Sequence, residues 1–490
     1  MLERELKLYL PPAQQAAVIA AVQQLPAQQH LHLAAHYFDT PQRSLAQQGA
    51  ALRLRLENEQ WVQTLKMRGS DALSNTEYNH LRPDASLDLS LYEHTAAATL
   101  FSQLNSPLQM RYQTDVQRTT ALITSPTAEI ELALDIGVIQ ALDQSIAISE
   151  IEFELKKGEM AEVFSTALDW LQQFHLLFEL RSKAERGDTL YEGRLDQASA
   201  LSLQSPHHHD IKETYTASAS TFLHQVIRNA TLLAGIDRPQ ASEKAQARYL
   251  MLLRVGLRRL RSCRQLFKPW LTASEQQLAQ QLNAYHKQFG TRRDSDMIWL
   301  ELQPKLERAG LPEPQALPLP QQVESEAGTP PQALAASLGF QRLLVQSLAN
   351  LILDKAIEIP NSEQQIAQQQ LQSRLEKWLQ RIQRQSEKFD TLSASAQHDL
   401  RNRIKRLRYT LEIFGYNKDY PLYAALAKAQ DQLGDLCDAY VACAWYEEHA
   451  VNATQKQFAL NWLADTTTKK QEKSKRALQR LQGQHVAPLF

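Results

Sequence analysis

A chain of 490 residues is too long for one ordinary hydrophobic core, so two or three domains are expected. Lys plus Arg numbers 53 against 54 for Asp plus Glu, and the resulting formal charge of -1 excludes any partner selected by whole-chain charge; only the distribution of charge is informative. No stretch approaches the roughly 18 uncharged apolar residues of a membrane span, the N-terminus opens on Glu3, Arg4, Glu5 and Lys7 rather than a signal peptide, and Cys263, Cys437 and Cys443 form neither a complete disulfide set nor a metal-ligand spacing. The expected setting is cytoplasmic and reducing, without membrane insertion.

From residue 1 to about 190 the dominant hydrophobic period is two. Leu2, Arg4, Leu6 and Leu8 alternate with Glu3, Glu5 and Lys7, and Ala51 to Glu57 alternates around Arg53 and Arg55. Glu129 to Asp135 and Glu150 to Lys156 repeat the pattern with acidic residues. Each segment reads as a strand that sends its charges to one face. Pro12 to Leu25 and Glu159 to Phe174 read as helices that cover a sheet. Between Glu192 and Asp210 the chain turns Ser, Gln, Pro and His-rich, which marks a linker; the triple histidine at 207–209 lies on it and forms no enclosed metal site.

After residue 211 helical patterns rich in Leu, Ala, Gln and Arg take over, broken by a Pro and Gln-rich stretch from Pro312 to Pro331. The two helical halves echo each other. Met251-x-x-Arg254 followed by Arg258-Arg259-Leu260-Arg261 recurs as His398-x-x-Arg401 followed by Lys405-Arg406-Leu407-Arg408, and Phe289-Gly290 with Asp294 recurs as Leu433-Gly434 with Asp438. Two matches at nearly the same offset predict duplicated helix bundles.

The strand charges carry chemistry. A soluble strand exposes its charged face to water, but like charges two residues apart project together and repel, especially where a closed sheet limits water. A divalent cation on the carboxylates and a polyphosphate on Arg53, Arg55, Lys66 and Arg118 would relieve that repulsion. These are the components of phosphoryl transfer. No Gly-rich lysine loop is present, so phosphate would be held by side chains in a charged tunnel.

Glu3-Arg4-Glu5-Leu6-Lys7 carries an ExExK pattern, followed in order by Tyr37-Phe38-Asp39-Thr40, Leu52-Arg53-Leu54-Arg55, Thr64-Leu65-Lys66, Glu77, Arg118, Glu129-x-Glu131, Glu150-x-Glu152-x-Glu154-Leu155 and Ser182-Lys183-x-x-Arg186-Gly187. This series, over residues 1–200, resembles the CYTH or triphosphate tunnel metalloenzyme family. The resemblance implies an α+β N-terminal half built on an eight-stranded antiparallel tunnel barrel. It implies metal ligation and catalysis by Glu3, Glu5, Glu150 and Glu152, a Mg2+ or Mn2+ cofactor, and substrate contacts from Lys7, Arg53, Arg55, Lys66, Arg118 and Lys183, with Lys7 also in the catalytic set. Which carboxylate touches metal and which orients water stays open, and Glu154 either joins them or neutralises a basic neighbour. The implied activity is hydrolysis of inorganic triphosphate to pyrophosphate and orthophosphate. Thiamine-triphosphatase or adenylate cyclase activity are alternatives, for which Tyr37, Trp61 and Tyr78 are the candidate base contacts. A non-catalytic polyphosphate receptor is a further alternative.

On a helix, Arg254, Arg258 and Arg261 fall at roughly 0°, 40° and 340°, and Arg401, Lys405 and Arg408 share that spacing. Between Arg248 and Lys268 there are seven basic residues and no acidic one. Such stripes suit multidentate phosphate contacts, or else pair with Asp294, Asp296, Asp435 or Asp438; no aromatic stacking platform or groove-reading element points to specific nucleic acid. Beyond a linker at 201–214, residues 215–485 resemble a CHAD domain, an all-α duplicated helical bundle. That resemblance implies long-chain polyphosphate as partner and Arg254, Arg258, Arg261, His398, Arg401, Lys405 and Arg408 as its contacts. Met251 stands where the family pattern has histidine, which implies weaker or asymmetric binding in the first repeat.

Overall fold

The computed structural model describes residues 2–203, 210–290, 298–317 and 329–489. The triple histidine, Asp294 and Asp296, and the middle of the Pro-rich break lie outside the described residues. Eight strands follow in order, β1 (Leu2–Tyr9), β2 (Gln29–Asp39), β3 (Ala50–Glu57), β4 (Gln60–Arg68), β5 (Ser74–Arg82), β6 (Gln109–Thr124), β7 (Glu129–Ala141) and β8 (Gln144–Lys157). Helix α1 (Gln15–Val22), preceded by a 3-10 turn at Pro12–Gln14, occupies the first expected helical segment. Helices α2 (Met160–Phe174) and α3 (Lys183–Tyr191) follow, with a short β9 (Leu177–Phe178) between them.

All the strand pairs are antiparallel, in the order β5-β4-β3-β2-β6-β7-β8-β1, and β1 returns to β5 through Leu2↔Thr76, Glu3↔Asn75 and Arg4↔Ser74. The sheet is therefore a closed eight-stranded barrel, and β9 adds to the end of β1. The β3–β4 turn shows why the strands connect so tightly. Glu57 pairs with Gln60, and Asn58 and Glu59 both adopt positive φ, 46° and 73°, the twist that matches a two-residue hairpin.

Register decides what faces inward, because residues directly opposite in a ladder project to the same side. Lys7 opposes Glu152, Glu5 opposes Glu154, Asp135 opposes both Arg118 and Glu150, and Lys66 opposes Glu77. The expected charged faces of separate strands thus become one interior. The alternate residues point outward: α2 covers Leu6, Leu8, Ile151 and Phe153 with its buried Val163, Phe164, Ala167, Leu171 and Phe174. Each buried Val, Leu, Ile or Phe of this set contributes about 1.5–3 kcal/mol. Across the barrel, Leu45, Tyr92, Ala97 and Leu100 cover Leu52 and Leu65.

The interior is not charged throughout. Leu33, Ala35, Tyr37, Tyr112, Val116, Ile139 and Ile148 form an apolar cluster against which α3 packs through Ala184, Leu190 and Tyr191. Ser182 caps α3 by accepting a hydrogen bond from the Glu185 N–H at 3.1 Å. Its far end is held by Asp188, which takes hydrogen bonds from Arg43 at 2.8 Å and Arg111 at 3.4 Å.

The described chain forms two compact units. The first comprises Met1–Ala200, His224–Leu253 and Pro331–Leu353; the second comprises Leu201–Leu223, Arg254–Pro330 and Asp354–Phe490. Beyond the barrel the helices are α4 (Ile211–Leu233), α5 (Glu243–Leu266), α6 (Ala273–Gln288), α7 (Leu338–Ile352), α8 (Gln364–Glu387), α9 (Ala394–Glu412), α10 (Pro421–His449) and α11 (Ala453–Gln479). In the first unit α7 packs on α2, and Gln341 accepts a hydrogen bond from the Phe178 N–H at 2.7 Å. In the second, the sequence echo has a structural counterpart. A Cβ on Gly290 would sit 3.3 Å from Arg254 Nη2, and one on Gly434 would sit 2.9 Å from Arg401 Nη2, so each glycine makes room for the arginine of its own repeat.

Gly187 makes a close approach of the same kind in the barrel, since a Cβ there would lie 2.2 Å from the Tyr112 ring. Gly187→Ala is expected to destabilise the first unit by about 1–3 kcal/mol through overpacking, read as a lowered midpoint in denaturant; an unchanged midpoint would show that α3 does not need this contact.

A charged tunnel and a basic helical surface as candidate functional sites

Asp135 of β7 and Glu150 and Glu152 of β8 each offer a carboxylate oxygen within 4.8 Å of the others, and this small acidic cluster can coordinate a divalent metal. Lys183, from the first turn of α3, places its ammonium at their centre, 2.6 Å from Asp135, 2.6 Å from Glu150 and 2.8 Å from Glu152. Arg118 forks onto Asp135 at 2.7 and 2.6 Å and reaches Glu152 at 2.6 Å. Arg186, one turn after Lys183, donates to Glu150 at 3.0 Å. Burial opposes ionisation here, but Lys183 and Arg118 overcome it and hold Asp135 below, and Glu152 well below, the usual carboxylate range.

A second group lies on β1, β4 and β5. Lys66 contacts Glu3, Glu5 at 2.9 Å and Glu77 at 3.5 Å, so one ammonium serves three carboxylates. Burial first, then the neighbouring Glu5 and Glu77 charges, push Glu3 up to about 8 against the pull of Lys66. Glu77 stays below its usual range despite burial because Lys66 and Arg53 face it. On the basic side, burial and the adjacent Arg53 push Arg55 down to about 10, with Glu57 as its counter-ion. The tunnel thus holds acidic groups short of cations and basic groups short of anions.

Lys7 is buried, donating to the Arg181 carbonyl, and stands 3.9 Å from Glu150. Arg53 donates to the Tyr37 hydroxyl at 3.3 Å. Glu154 pairs with Lys156 at 2.8 Å. All of the tunnel residues expected from sequence therefore come together in one interior, with three additions. Asp135 lies on the same strand face as Glu129 and Glu131 and shares their parity, which was a readable signal. Arg186 lies three residues after Lys183 on the same helix, and Glu77 opposes Lys66. Of the aromatic residues, Trp61 and Tyr78 sit out of phase with the inward-facing Lys66 and Glu77, and Tyr78 packs in the outer cluster; Tyr37 is buried, stacked on Tyr112 at 4.8 Å.

The donor set fits a hard cation. Its oxygens are carboxylates held by the strands, and the Glu3–Glu5–Glu77 group carries more negative charge than Lys66 balances. At Asp135, Glu150 and Glu152 a metal would compete with the Lys183 ammonium for the same oxygens.

In the second unit the basic stripes of the two repeats meet. Burial, together with Arg254, Arg258 and Arg261 of α5 and Lys405 of α9, pushes His286 of α6 down to about 3. His286 was not singled out from sequence, although it stands just ahead of the Phe289-Gly290 echo. Arg401 reaches Asp438 at 3.8 Å, and Arg408 is held by Glu412 at 3.1 Å, Gln430 at 2.9 Å and Tyr423 at 2.7 Å, so part of the second stripe takes the acidic-pairing alternative. His398 is exposed on α9. No helix among the described residues is long and apolar enough to cross a membrane.

The chain thus holds a closed antiparallel barrel whose interior sets carboxylates against arginines and lysines, and helical repeats that gather basic side chains. Comparison places it: residues 1–187 match the CYTH domain family and residues 230–447 the CHAD domain family, so the chain carries a CYTH domain followed by a CHAD domain. An inorganic triphosphatase from Haemophilus influenzae is 37% identical over 165 residues, which is 32% of this chain and 46% of that protein; the match spans less than half the length of this relative. Among solved structures, the CHAD domain from the plant Ricinus communis is similar at 24% identity, over 58% of this chain and 95% of that one, with a TM-score of 0.42. A protein from Bacillus halodurans described as a candidate adenylate cyclase is similar at 22% identity, over 38% of this chain and 96% of that one, with a TM-score of 0.30.

The raised Glu3 makes a signed prediction. Between its ordinary value of 4.5 and about 8, the folded chain keeps a proton that the unfolded chain releases, so this contribution to stability is complete below pH 4.5 and is lost as pH rises to 8. Glu3→Gln is expected to flatten that decline: melting temperatures measured across the window in metal-free buffer should diverge in favour of the variant as pH rises, and parallel curves would refute the shift.

Proposed function

We propose that the barrel is a divalent-metal-dependent hydrolase that takes inorganic triphosphate and water to pyrophosphate and orthophosphate. The observation that carries this reading is the pairing, inside one closed barrel, of Glu3, Glu5 and Glu77 served by a single lysine with Arg53 and Arg55 crowded together. The first group asks for a cation and the second for an anion, and a metal–triphosphate complex supplies both. The likeness to the Haemophilus influenzae inorganic triphosphatase supports the same substrate. So do the aromatic residues: with Trp61 and Tyr78 out of phase with the tunnel face and Tyr37 buried against Tyr112, they offer no platform for an adenine or a thiazolium.

In this reading Glu3, Glu5, Glu150 and Glu152, joined by Asp135, hold Mg2+ or Mn2+, which when bound offsets phosphate charge and favours deprotonation of water. Arg53, Arg55 and Lys66 hold the phosphate oxygens that do not react, and Arg118, Lys183 and Lys7 stand by the carboxylates to balance the charge shed by the departing pyrophosphate. A carboxylate of the set orients water for attack on the terminal phosphorus; one P–O bond forms as the bridging P–O bond breaks.

We further propose that residues 1–200 and 215–485 are functional modules joined at 201–214, that the second binds long-chain polyphosphate, and that the protein works in the cytoplasm, where its three free cysteines persist as thiols. Support for the binding role comes from the convergence of Arg254, Arg258, Arg261 and Lys405 on His286. Arg401, Arg408 and His398 extend the set along α9.

The deciding experiment is a panel of triphosphate, thiamine triphosphate and ATP with Mg2+ or Mn2+ and identification of products. Orthophosphate and pyrophosphate from triphosphate are expected; cyclic AMP from ATP, or tight triphosphate retention without product, would overturn the assignment. Glu3→Gln should lower turnover by roughly 10–100-fold while the chain stays folded. Independently, Arg254→Gln, Arg258→Gln and Lys405→Gln combined should weaken long-chain polyphosphate binding and flatten its salt dependence while triphosphate turnover persists. Unchanged affinity in the folded variant would remove the binding role from this face.

A further inference from the structure

Asp237 lies in the connection between α4 and α5, beyond the residues that match the CYTH domain and within those that match the CHAD domain. Its carboxylate is nevertheless almost completely buried in the barrel unit, with the side chain 2% exposed, and the backbone at this position takes a left-handed φ of 66°. Aspartate tolerates that conformation better than most residues, and the strain accompanies a specific contact. Arg186 forks onto Asp237 at 2.6 and 3.1 Å, and Arg181 reaches the same carboxylate at 3.1 Å.

The remaining donor of that fork faces the tunnel. Arg186 Nη1 donates to Glu150 Oε2 at 3.0 Å, while Glu150 Oε1 meets the Lys183 ammonium at 2.6 Å. Arg186 and Glu150 are both fully buried, so neither can exchange its partner for water. A guanidinium is planar, and holding the Nε–Nη2 edge on Asp237, with Nη2 also donating to the Ala147 carbonyl at 2.6 Å, fixes the direction of Nη1. A second tie comes from α4, where Arg228 grips Glu185, the residue just before Arg186 in α3, with one contact at 2.7 Å.

We propose that Asp237 is a positioning residue for the tunnel. By clamping Arg186 it holds Glu150, and with it Lys183, in place, so a residue of the CHAD segment completes the site of the CYTH barrel. Asparagine at this position would present one acceptor and turn an N–H toward the guanidinium, releasing the fork without changing the volume.

The kinetic arm of the test rests on the triphosphatase reading; the binding arm does not. In the full-length chain, Asp237→Asn is expected to lower kcat for triphosphate about tenfold with KM changed less than about twofold, because Arg53, Arg55 and Lys66 lie off this chain of contacts. Mn2+ affinity, followed by titration calorimetry, should fall by about tenfold as well. Arg228→Gln, at a position 22% exposed, should shift both quantities in the same direction by about threefold, and it carries the test should Asp237→Asn not fold. A merely structural role predicts a lower melting temperature with kcat and Mn2+ affinity per folded molecule at wild-type values, and that result overturns the proposal. Absence of triphosphate turnover by the wild-type chain would instead remove the triphosphatase reading and leave Mn2+ affinity to judge the role of Asp237.

Discussion

Closing an antiparallel sheet on itself forces half of its side chains into a space from which water is largely excluded, and in this barrel many of those side chains are ionised. Asp135, Glu150 and Glu152 approach within 4.8 Å of one another, a separation at which three carboxylates do not stay ionised together without cations among them. Lys183 and Arg118 provide those cations. The rest of the barrel unit can be traced to that requirement. Lys183 reaches the cluster only because α3 starts where it does, with Ser182 as its cap, and because Gly187 lets the helix lie against Tyr112. Asp188, Arg43 and Arg111 secure the helix at its other end.

Compensation is uneven along the interior, and that unevenness gives the tunnel its chemical character. Beside Lys183, Asp135 and Glu152 are held ionised, whereas around Lys66 the proton remains on Glu3 up to about pH 8. A folded protein retains such a poorly balanced group at a cost in stability, and perturbed groups of this kind concentrate where a ligand completes the balance. Here the imbalance is of opposite sign at Glu3 and at Arg55, and under the proposed function a metal–triphosphate complex relieves both. The same interior commits its inward positions to charge and to the apolar cluster around Tyr37 and Tyr112.

The helical repeats solve a related problem differently. Basic side chains brought together on α5 and α9 repel, and the fold keeps them at different depths: Arg261 is exposed, whereas Arg401 and Lys405 are buried. Within the set, Arg401 meets Asp438 and Arg408 meets Glu412. Each repeat also seats one arginine against a glycine, Arg254 at Gly290 and Arg401 at Gly434.

The period-two alternation of Glu3-Arg4-Glu5-Leu6-Lys7 and its successors determined strands with one charged face, and the shift to helical periodicity after residue 211 determined the change of architecture, because both patterns depend only on local backbone geometry. The ordered motifs placed Glu3, Glu5, Lys66, Arg118, Glu150, Glu152 and Lys183 in a common tunnel, and the interior does bring them together. What alternation could not supply was which strands meet. That Asp135 opposes Glu150, that Glu77 opposes Lys66, and that one ammonium sits among three carboxylates are consequences of register and of closure between β1 and β5. The contact of Asp237 with Arg186 lies further still from local pattern, since it depends on a loop after α4 returning to the barrel. Likewise the helical stripes were visible one at a time, but their convergence on His286 is set by helix packing, in which side chains far apart in sequence share a field only after the chain has folded.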